Sequence, residues 1–243
     1  AESKEQARVA VGAALSAGAA GCVRINPVTG SEGAADLVML AGVLAGVAGL
    51  AGVAGGLASV SVMVPLAESV ADLDRIAAQL PGVPVVALIE SARGWAAARE
   101  LCSHPAVVRV AFGNLDTAAD LGCAPDSPTL DQVRMSLVLE SRLAGLNGPV
   151  DGVTADFADP AVAGGDAAAA KRLGMAGKLC IHPAQLGAVA EAFAPSEAEI
   201  AWARAIERGL AEAGGGAFAV DGAMVDAPVI ARARRILQGV GGE

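Results

Sequence analysis

The sequence predicts an α/β fold, a (β/α)8 TIM barrel with its first strand missing from the visible chain, and three observations carry that prediction. Short runs rich in Val, Ile, Ala and Leu alternate with longer Ala-, Arg- and Glu-bearing segments of helical length. The runs are almost continuously apolar, which suits strands covered on both faces of a parallel sheet. Seven such runs occur in 243 residues, and the chain opens on Glu2-Ser3-Lys4-Glu5-Gln6-Ala7-Arg8, a stretch that already reads as helix. The missing strand would therefore precede residue 1. A doubly wound open sheet is the alternative, but no GxGxxG follows the first run.

Taken in order, the expected strands are Cys22–Asn26, Val60–Pro65, Val85–Glu90, Val107–Gly113, Val150–Ala155, Lys178–His182 and Ala217–Val220. The expected helices are 34–47, 68–79, 92–103, 129–144, 166–173, 184–192, 196–212 and 224–238. Ser196 with Glu199 three residues on is a capping-box start. Alternation of strand and helix implies parallel pairing through right-handed crossovers. The length suits one barrel domain over residues 1–243.

Composition narrows the function classes. With 54% hydrophobic and 18% charged residues, the chain has the means to bury a core and is not a disordered segment. A net charge of −9 offers no basic stripe for a phosphate backbone, and six aromatic residues offer no stacking platform, so nucleic acid is not an expected partner. Cys22, Cys102, Cys123 and Cys180 form no CxxC and the two histidines complete no ligand cluster, so the cysteines read as reduced, buried thiols of a cytoplasmic protein. No charged residue occurs from Leu37 to Ala67, a length that could cross a bilayer. Its apolarity is mostly Ala and Gly, and Gly49, Gly52, Gly55 and Gly56 break it, so we read a buried helix, a glycine turn and the strand from Val60, with no membrane partner.

Barrel active sites form where the strands end. Arg24 and Asn26 close the first run, and an arginine inside an apolar strand is costly unless it meets an anion. Glu90 closes the third run and Asp116 follows the fourth, 26 positions later, which places the two on adjacent strands at one rim. Two neighbouring carboxylates need a counter-charge. A divalent cation supplies it, and oxygen-only ligands favour Mg²⁺, with about four positions left for water and a chelating 2-oxo acid. The ion would polarise the carbonyl and Arg24 would stabilise the developing oxyanion. Equally, Glu90 could cap the helix after it and Asp116 could begin the next, as acids at helix starts do. His182 before Pro183, and His104 before Pro105 on the far face, read as structural. Ser91 lacks a GxSxG elbow. Asp151 is expected to cap a turn, and Asp226 precedes an apolar helix as an N-terminal acid would.

Eight motifs occur in order: VRINP (23–27), VPLAES (64–69), ALIESARG (87–94), FGNLDTAADLG (112–122), DGVTADFAD (151–159), GKLCIHPAQ (177–185), AFAPSEAEIAWAR (192–204) and DGAMVDAP (221–228). Together they resemble the citrate lyase beta-subunit-like family of CoA-ester lyases. The resemblance implies a TIM barrel, Mg²⁺, and aldol-type cleavage or formation of citryl-, malyl- or citramalyl-CoA, yielding acetyl-CoA and a 2-oxo acid. By motif match Glu90 and Asp116 fall on the metal ligands and Arg24 on the substrate arginine, while the backbone around Gly113 and Asn114 borders the 2-oxo acid. Asp226 matches an acid that reaches a neighbouring subunit's site and exchanges a proton with substrate. A homotrimer or hexamer follows, with residues from about 196 to 243 packing on that neighbour. Leu66 stands where the family usually has lysine, and the family's opening strand and acidic motif precede the helix of Lys4 and Arg8. A class II aldolase acting on free 2-oxo acids without CoA, and a non-catalytic binding protein, are the alternatives.

Overall fold

The computed structural model describes residues 2–48, 60–213, 218–220 and 222–240. The chain divides into two compact units, Ala1–Val189 and Ala190–Glu243.

The first unit is a curled parallel sheet of six strands wrapped in helices. Its strands are β1 (Gly21–Arg24), β2 (Val60–Val64), β3 (Val85–Ile89), β4 (Val107–Phe112), β5 (Val150–Asp151) and β6 (Gly177–Lys178), paired in simple sequence order. Pairing is parallel throughout: Arg24 faces Met63, Val64 faces Ala87, Ile89 faces Phe112 and Asp151 faces Lys178. A register in which strand ends align brings the residues after β1, β2, β3 and β4 to one rim. The β-branched runs explain the strands: Val62, Val64, Val85, Ala87, Ile89, Val110 and Phe112 are all buried.

Around the sheet lie α1 (Glu2–Ser16), α2 (Ser31–Ala48), α3 (Val70–Gln79), α4 (Ala92–Ala96), α5 (Ala98–Cys102), α6 (Asn114–Leu121), α7 (Pro128–Leu143), α8 (Pro160–Leu173) and α9 (Leu186–Phe193). The longer ones turn an apolar face inward, with Leu37, Leu40, Leu73, Ile76, Leu101, Leu130 and Leu137 fully enclosed. Helix starts follow side-chain chemistry. Ser69, Ser91, Ser127 and Asp159 accept hydrogen bonds from their own first turns. Gly122, at φ 67°, ends α6 in the left-handed region.

Several expectations are corrected. The stretch 92–103 is two helices parted at Ala97, and α8 begins at Pro160 rather than 166, because Asp159 caps it. Helix α6 lies outside the expected helix ranges, although a helix begun by Asp116 was the alternative reading of that acid. The largest change concerns the seventh run. Residues 218–220 do not join the parallel sheet but pair antiparallel with a strand over 223–225. Val220 faces Ala223, and Gly222 before it has φ 78°. In its described parts the uncharged stretch is helix α2 to residue 48 and strand β2 from 60, but the helix is buried on one face only, with Val38 70% exposed, while the glycine turn lies outside the described residues. Among the described residues no helix is long and apolar enough to cross a membrane.

The second unit holds α10 (Glu197–Glu212), β7 (Phe218–Val220), β8 (Ala223–Val225) and α11 (Ala227–Gln238). Ala203, Ile206, Val225 and Ala233 form its core, with Trp202, Phe218 and Ile230 packed against them. The Ser196–Glu199 capping box is formed in both directions. The expected helix start at 224 moves to 227, since 223–225 are extended and Asp226 caps α11 before Pro228.

Candidate active site

Three residues expected at the rim share one open cleft of about 610 Å³: Arg24 from the last position of β1, Glu90 just past β3, and Asp116 in the first turn of α6. The loop after β2 supplies Pro65, Leu66 and Glu68, and α6 also supplies Asp120.

Glu90 lies deepest, 4% exposed. Its Oε1 accepts a 2.8 Å hydrogen bond from the Leu66 backbone N–H. Burial pushes its carboxyl above the ordinary range, and Asp116 adds to that through its charge and a hydrogen bond; the Leu66 N–H and the Arg24 charge pull the other way. The backbone is shaped around this carboxylate. Leu66 has φ 47°, the one positive value for a residue other than glycine among the described residues, and it is this residue's N–H that donates to Glu90. Gly113 packs directly on Glu90: a Cβ there would lie 2.9 Å from Glu90 Oε2 and closer still to its Cβ. Asp116, by contrast, is open to solvent. The pair is one sunken and one exposed carboxylate in contact, facing an arginine.

Two neighbouring carboxylates escaped the sequence reading. Glu68 Oε1 accepts from Ser91 Oγ at 2.6 Å, and Asp120 Oδ2 accepts from the Ala92 N–H at 2.7 Å. Both had a signal. Glu68 follows a strand end as Glu90 does, and Asp120 lies four residues after Asp116, on the same helical face. Ser91 caps α4 through Gly94, so its hydroxyl is committed to structure.

Two residues beyond Arg24, Asn26 is held by a partly buried network. Its backbone N–H and its amide both donate to Asp36 Oδ2 at 2.7 Å, and Lys4 Nζ donates to its Oδ1 at 2.9 Å. Burial alone would raise the Asp36 carboxyl, but the Asn26 donors and Arg8 outweigh it and hold it below the ordinary value. Arg8 fans its guanidinium over Glu32, Asp36 and Glu5, and its pKa rises, chiefly through Glu32.

Asn114 turns away from the cleft. Its Nδ2 donates to Val153 O at 3.0 Å and its Oδ1 accepts from Val153 N at 2.9 Å, bracing α6 against the loop after β5. Any substrate contact here would fall to its backbone. It borders a second pocket of about 350 Å³ that contains Arg134, Asp151 and Lys178. Asp151 does not cap a turn. It is 1% exposed and bound by Arg134 Nε at 2.7 Å and Lys178 Nζ at 3.4 Å. Asp226 lies in the second unit, exposed, accepting from Val229 N at 3.2 Å as the cap of α11.

The histidines are structural in their contacts. His104 meets Asp74 and the Ala106 N–H. His182 Nδ1 accepts from Ala184 N, and its ring stacks on Phe157 at 5.4 Å. Gln185 is 1% exposed and uses its whole amide: Nε2 donates to Thr154 O and Asp156 O, and Oε1 accepts from the Ile181 and His182 N–H groups. All four cysteines are free, but of the four expected to be buried only Cys102 is; Cys22 is exposed, Cys123 and Cys180 are half-buried, and burial pushes Cys102 up to about 11.

The donor set fits a hard divalent cation. Glu90 and Asp116 present oxygen only, and their mutual repulsion is what such an ion relieves. Among the described residues no group of three or more His, Cys, Asp or Glu side chains is placed to hold a metal by itself. The pair would thus grip an ion whose other positions stay open to water and substrate.

The profile of the HpcH/HpaI aldolase/citrate lyase family matches residues 1–183. A citrate lyase subunit beta-like protein of Deinococcus radiodurans is 37% identical over 185 residues, covering 72% of this chain and 65% of the relative. A (3S)-malyl-CoA thioesterase of Cereibacter sphaeroides is 34% identical, covering 73% of this chain and 64% of the relative. The chain thus spans a little under two thirds of the length of these curated relatives. A crystal structure from Mycobacterium tuberculosis, in complex with magnesium, acetoacetate and coenzyme A, superposes with a TM-score of 0.72 at 31% identity, covering 90% of this chain and 78% of that one.

Proposed function

The chain belongs to the HpcH/HpaI aldolase/citrate lyase family, and from that premise we propose that it is a Mg²⁺-dependent carbon–carbon lyase acting on a 3-hydroxyacyl-CoA ester. Citryl-, malyl- or citramalyl-CoA would be cleaved to acetyl-CoA and a 2-oxo acid, or formed from them. The reading is carried by one observation: Arg24, Glu90 and Asp116, expected from strand ends far apart in sequence, line a single cleft. Magnesium and coenzyme A in the related crystal structure support it.

Glu90 and Asp116 would hold the ion, which when bound supplies Lewis-acid polarisation of the 2-oxo acid's carbonyl. The Leu66 N–H fixes Glu90 in its buried pose. Arg24 faces the negative charge that develops on the oxygen as the C–C bond breaks or forms. In cleavage a base removes the substrate hydroxyl proton, the C–C bond breaks with its electron pair moving into the thioester enolate, and the enolate carbon takes up a proton. Asp226 of a neighbouring subunit is our assignment for that proton exchange. The assignment brings with it a homotrimer or hexamer in the cytoplasm, residues from about 196 to 243 packing on the neighbour, and Gly113 and Asn114 bordering the 2-oxo acid through their backbone.

The thioesterase name carried by a relative favours a second reading, hydrolysis of the CoA thioester. One assay separates the two. Malyl-, citramalyl- and citryl-CoA are incubated with and without Mg²⁺, and both the 2-oxo acid and free CoA thiol are measured. Mg²⁺-dependent 2-oxo acid with acetyl-CoA supports the lyase, and free thiol without 2-oxo acid supports hydrolysis. Turnover of free hydroxy acids alone points to a class II aldolase, and tight binding without turnover to a binding protein.

A further inference from the structure

The two carboxylates assigned to the ion are held in place by different means. Glu90 is buried and takes a direct hydrogen bond from the Leu66 N–H. Asp116 is exposed and, its contact with Glu90 apart, takes its position from α6. Gly113, at the start of that helix, has no side chain to cap it. Asn114, the first helical residue, does the anchoring instead. It is buried and reaches sideways to the loop after β5, where Nδ2 donates to Val153 O at 3.0 Å and Oδ1 accepts from Val153 N at 2.9 Å. Both halves of the amide are spent on one backbone residue, as the edge of an adjacent strand would be. Two positions along a helix turn by about 200°, so the anchor and Asp116 leave opposite sides of a single turn. The loop side is built to receive the amide. A Cβ on Gly152 would lie 2.8 Å from Asn114 Cβ and closer still to its Cγ and Oδ1. No left-handed φ calls for glycine at 152, so space is what demands it. Gly152 O in turn accepts from Lys178 Nζ at 2.6 Å, and that buried lysine is tied to Asp151. The loop is fastened to a buried charge pair, and α6 is fastened to the loop.

Resting on the metal role proposed above for Asp116, we infer that Asn114 is a positioning residue for that carboxylate. Its amide, seated on Gly152 and bonded to Val153, fixes the first turn of α6, so that Asp116 stands beside Glu90 before any ion arrives. The Asn114 side chain touches neither the ion nor the reacting atoms; it acts through the helix. A partner that orients a metal ligand from behind changes metal affinity when it is lost, because the ligand must then be ordered at the moment of binding.

Titration calorimetry with Mg²⁺ on the full chain, well below its melting temperature, tests this without relying on turnover. Asn114→Ala is expected to weaken Mg²⁺ binding by about tenfold or more, and Gly152→Ala, which pushes the amide off its seat, by a comparable factor. In the double variant the new Cβ fills room the amide has left, so Gly152→Ala should cost little further and the two effects should not multiply. A residue that only stabilised the fold would lower the melting temperature and leave the Mg²⁺ affinity of the folded protein unmoved. The wild type gives an independent reading. Mg²⁺ should slow deuterium exchange at the Val153 amide, which lies on another element from both carboxylates and is linked to Asp116 through Asn114. That reading decides the matter should a variant fail to fold. Full Mg²⁺ affinity in the folded single variants, effects that multiply in the double variant, or, where the variants do not fold, a Val153 amide indifferent to Mg²⁺ overturns the inference alone. A wild type that binds no Mg²⁺, or an Asp116→Ala variant that binds it as tightly as the wild type, removes the metal role and this inference with it.

Discussion

Two buried carboxylates stand at strand ends of the same sheet, with one strand between them, and are treated oppositely. Asp151, at the end of β5, is 1% exposed and met by Arg134 at 2.7 Å and Lys178 at 3.4 Å, the lysine itself 2% exposed. Glu90, just past β3, is 4% exposed and met by one backbone N–H and by another carboxylate. The fold supplies every charge Asp151 needs. It leaves Glu90 in deficit and even supports that deficit with Leu66 at φ 47°. A buried acid with its counter-charges built in belongs to the architecture, whereas one left short of them is poised for a cation brought from outside.

The contrast can be broken most forcefully at the deficit. Alanine at Glu90 or Asp116 is expected to lower Mg²⁺-dependent turnover by at least about a hundredfold, with the fold intact by circular dichroism. Near wild-type turnover in either variant would remove the metal role. At the satisfied site the effect should move to stability. Asp151→Ala leaves Arg134 with Asp131 but takes the carboxylate from the buried Lys178 side chain, which keeps the Gly152 carbonyl, and we expect a loss of about 3–5 kcal/mol, read as a melting temperature lower by on the order of 10 °C.

A smaller effect sharpens the same point. Glu90→Gln keeps the acceptor for Leu66 and gains a donor toward Asp116. Without Mg²⁺ it should melt at or above the wild-type temperature, and added Mg²⁺ should no longer raise it. The pH dependences differ in sign. The folded Glu90 carboxyl titrates above its ordinary 4.5, so its ionised form weakens the metal-free fold at neutral pH. That cost disappears as pH falls through the raised value toward 4.5, and Mg²⁺ affinity falls over the same window because the ion needs the ionised form. Asp36 behaves in reverse. Its folded value lies below 3.8, so its contribution is complete above 3.8 and is lost only as pH falls through the lowered value. Acid unfolding followed with and without Mg²⁺ separates the two windows.

Much of this was legible from residue types. The valine-rich runs marked β2, β3 and β4 nearly to the residue, and the charge at the ends of apolar runs marked Arg24, Glu90 and Asp116. Strands β5 and β6 proved two residues long where longer runs were expected. In β5 the reason is visible: Val153, inside the predicted strand, gives its N–H and its carbonyl to the Asn114 side chain, so the ladder ends early. A side chain that substitutes for a neighbouring strand leaves no periodic trace. The hairpin of β7 and β8 failed for a different cause, since Phe218–Val220 is too short to show whether its partner is parallel or antiparallel. Glu68 and Asp120 were passed over because each also reads as an ordinary helix-start or helix-face acid.

Gln185 carries a consequence for motion at the rim. One amide buttons the segment of Thr154 and Asp156 to that of Ile181 and His182 through four hydrogen bonds. Neither segment can lift without unfastening the other, so the β5 and β6 corner of the mouth breathes as a single piece. The Ile181 and His182 amides, though on exposed residues, should exchange with deuterium slowly and at matched rates, and Gln185→Leu should release both together.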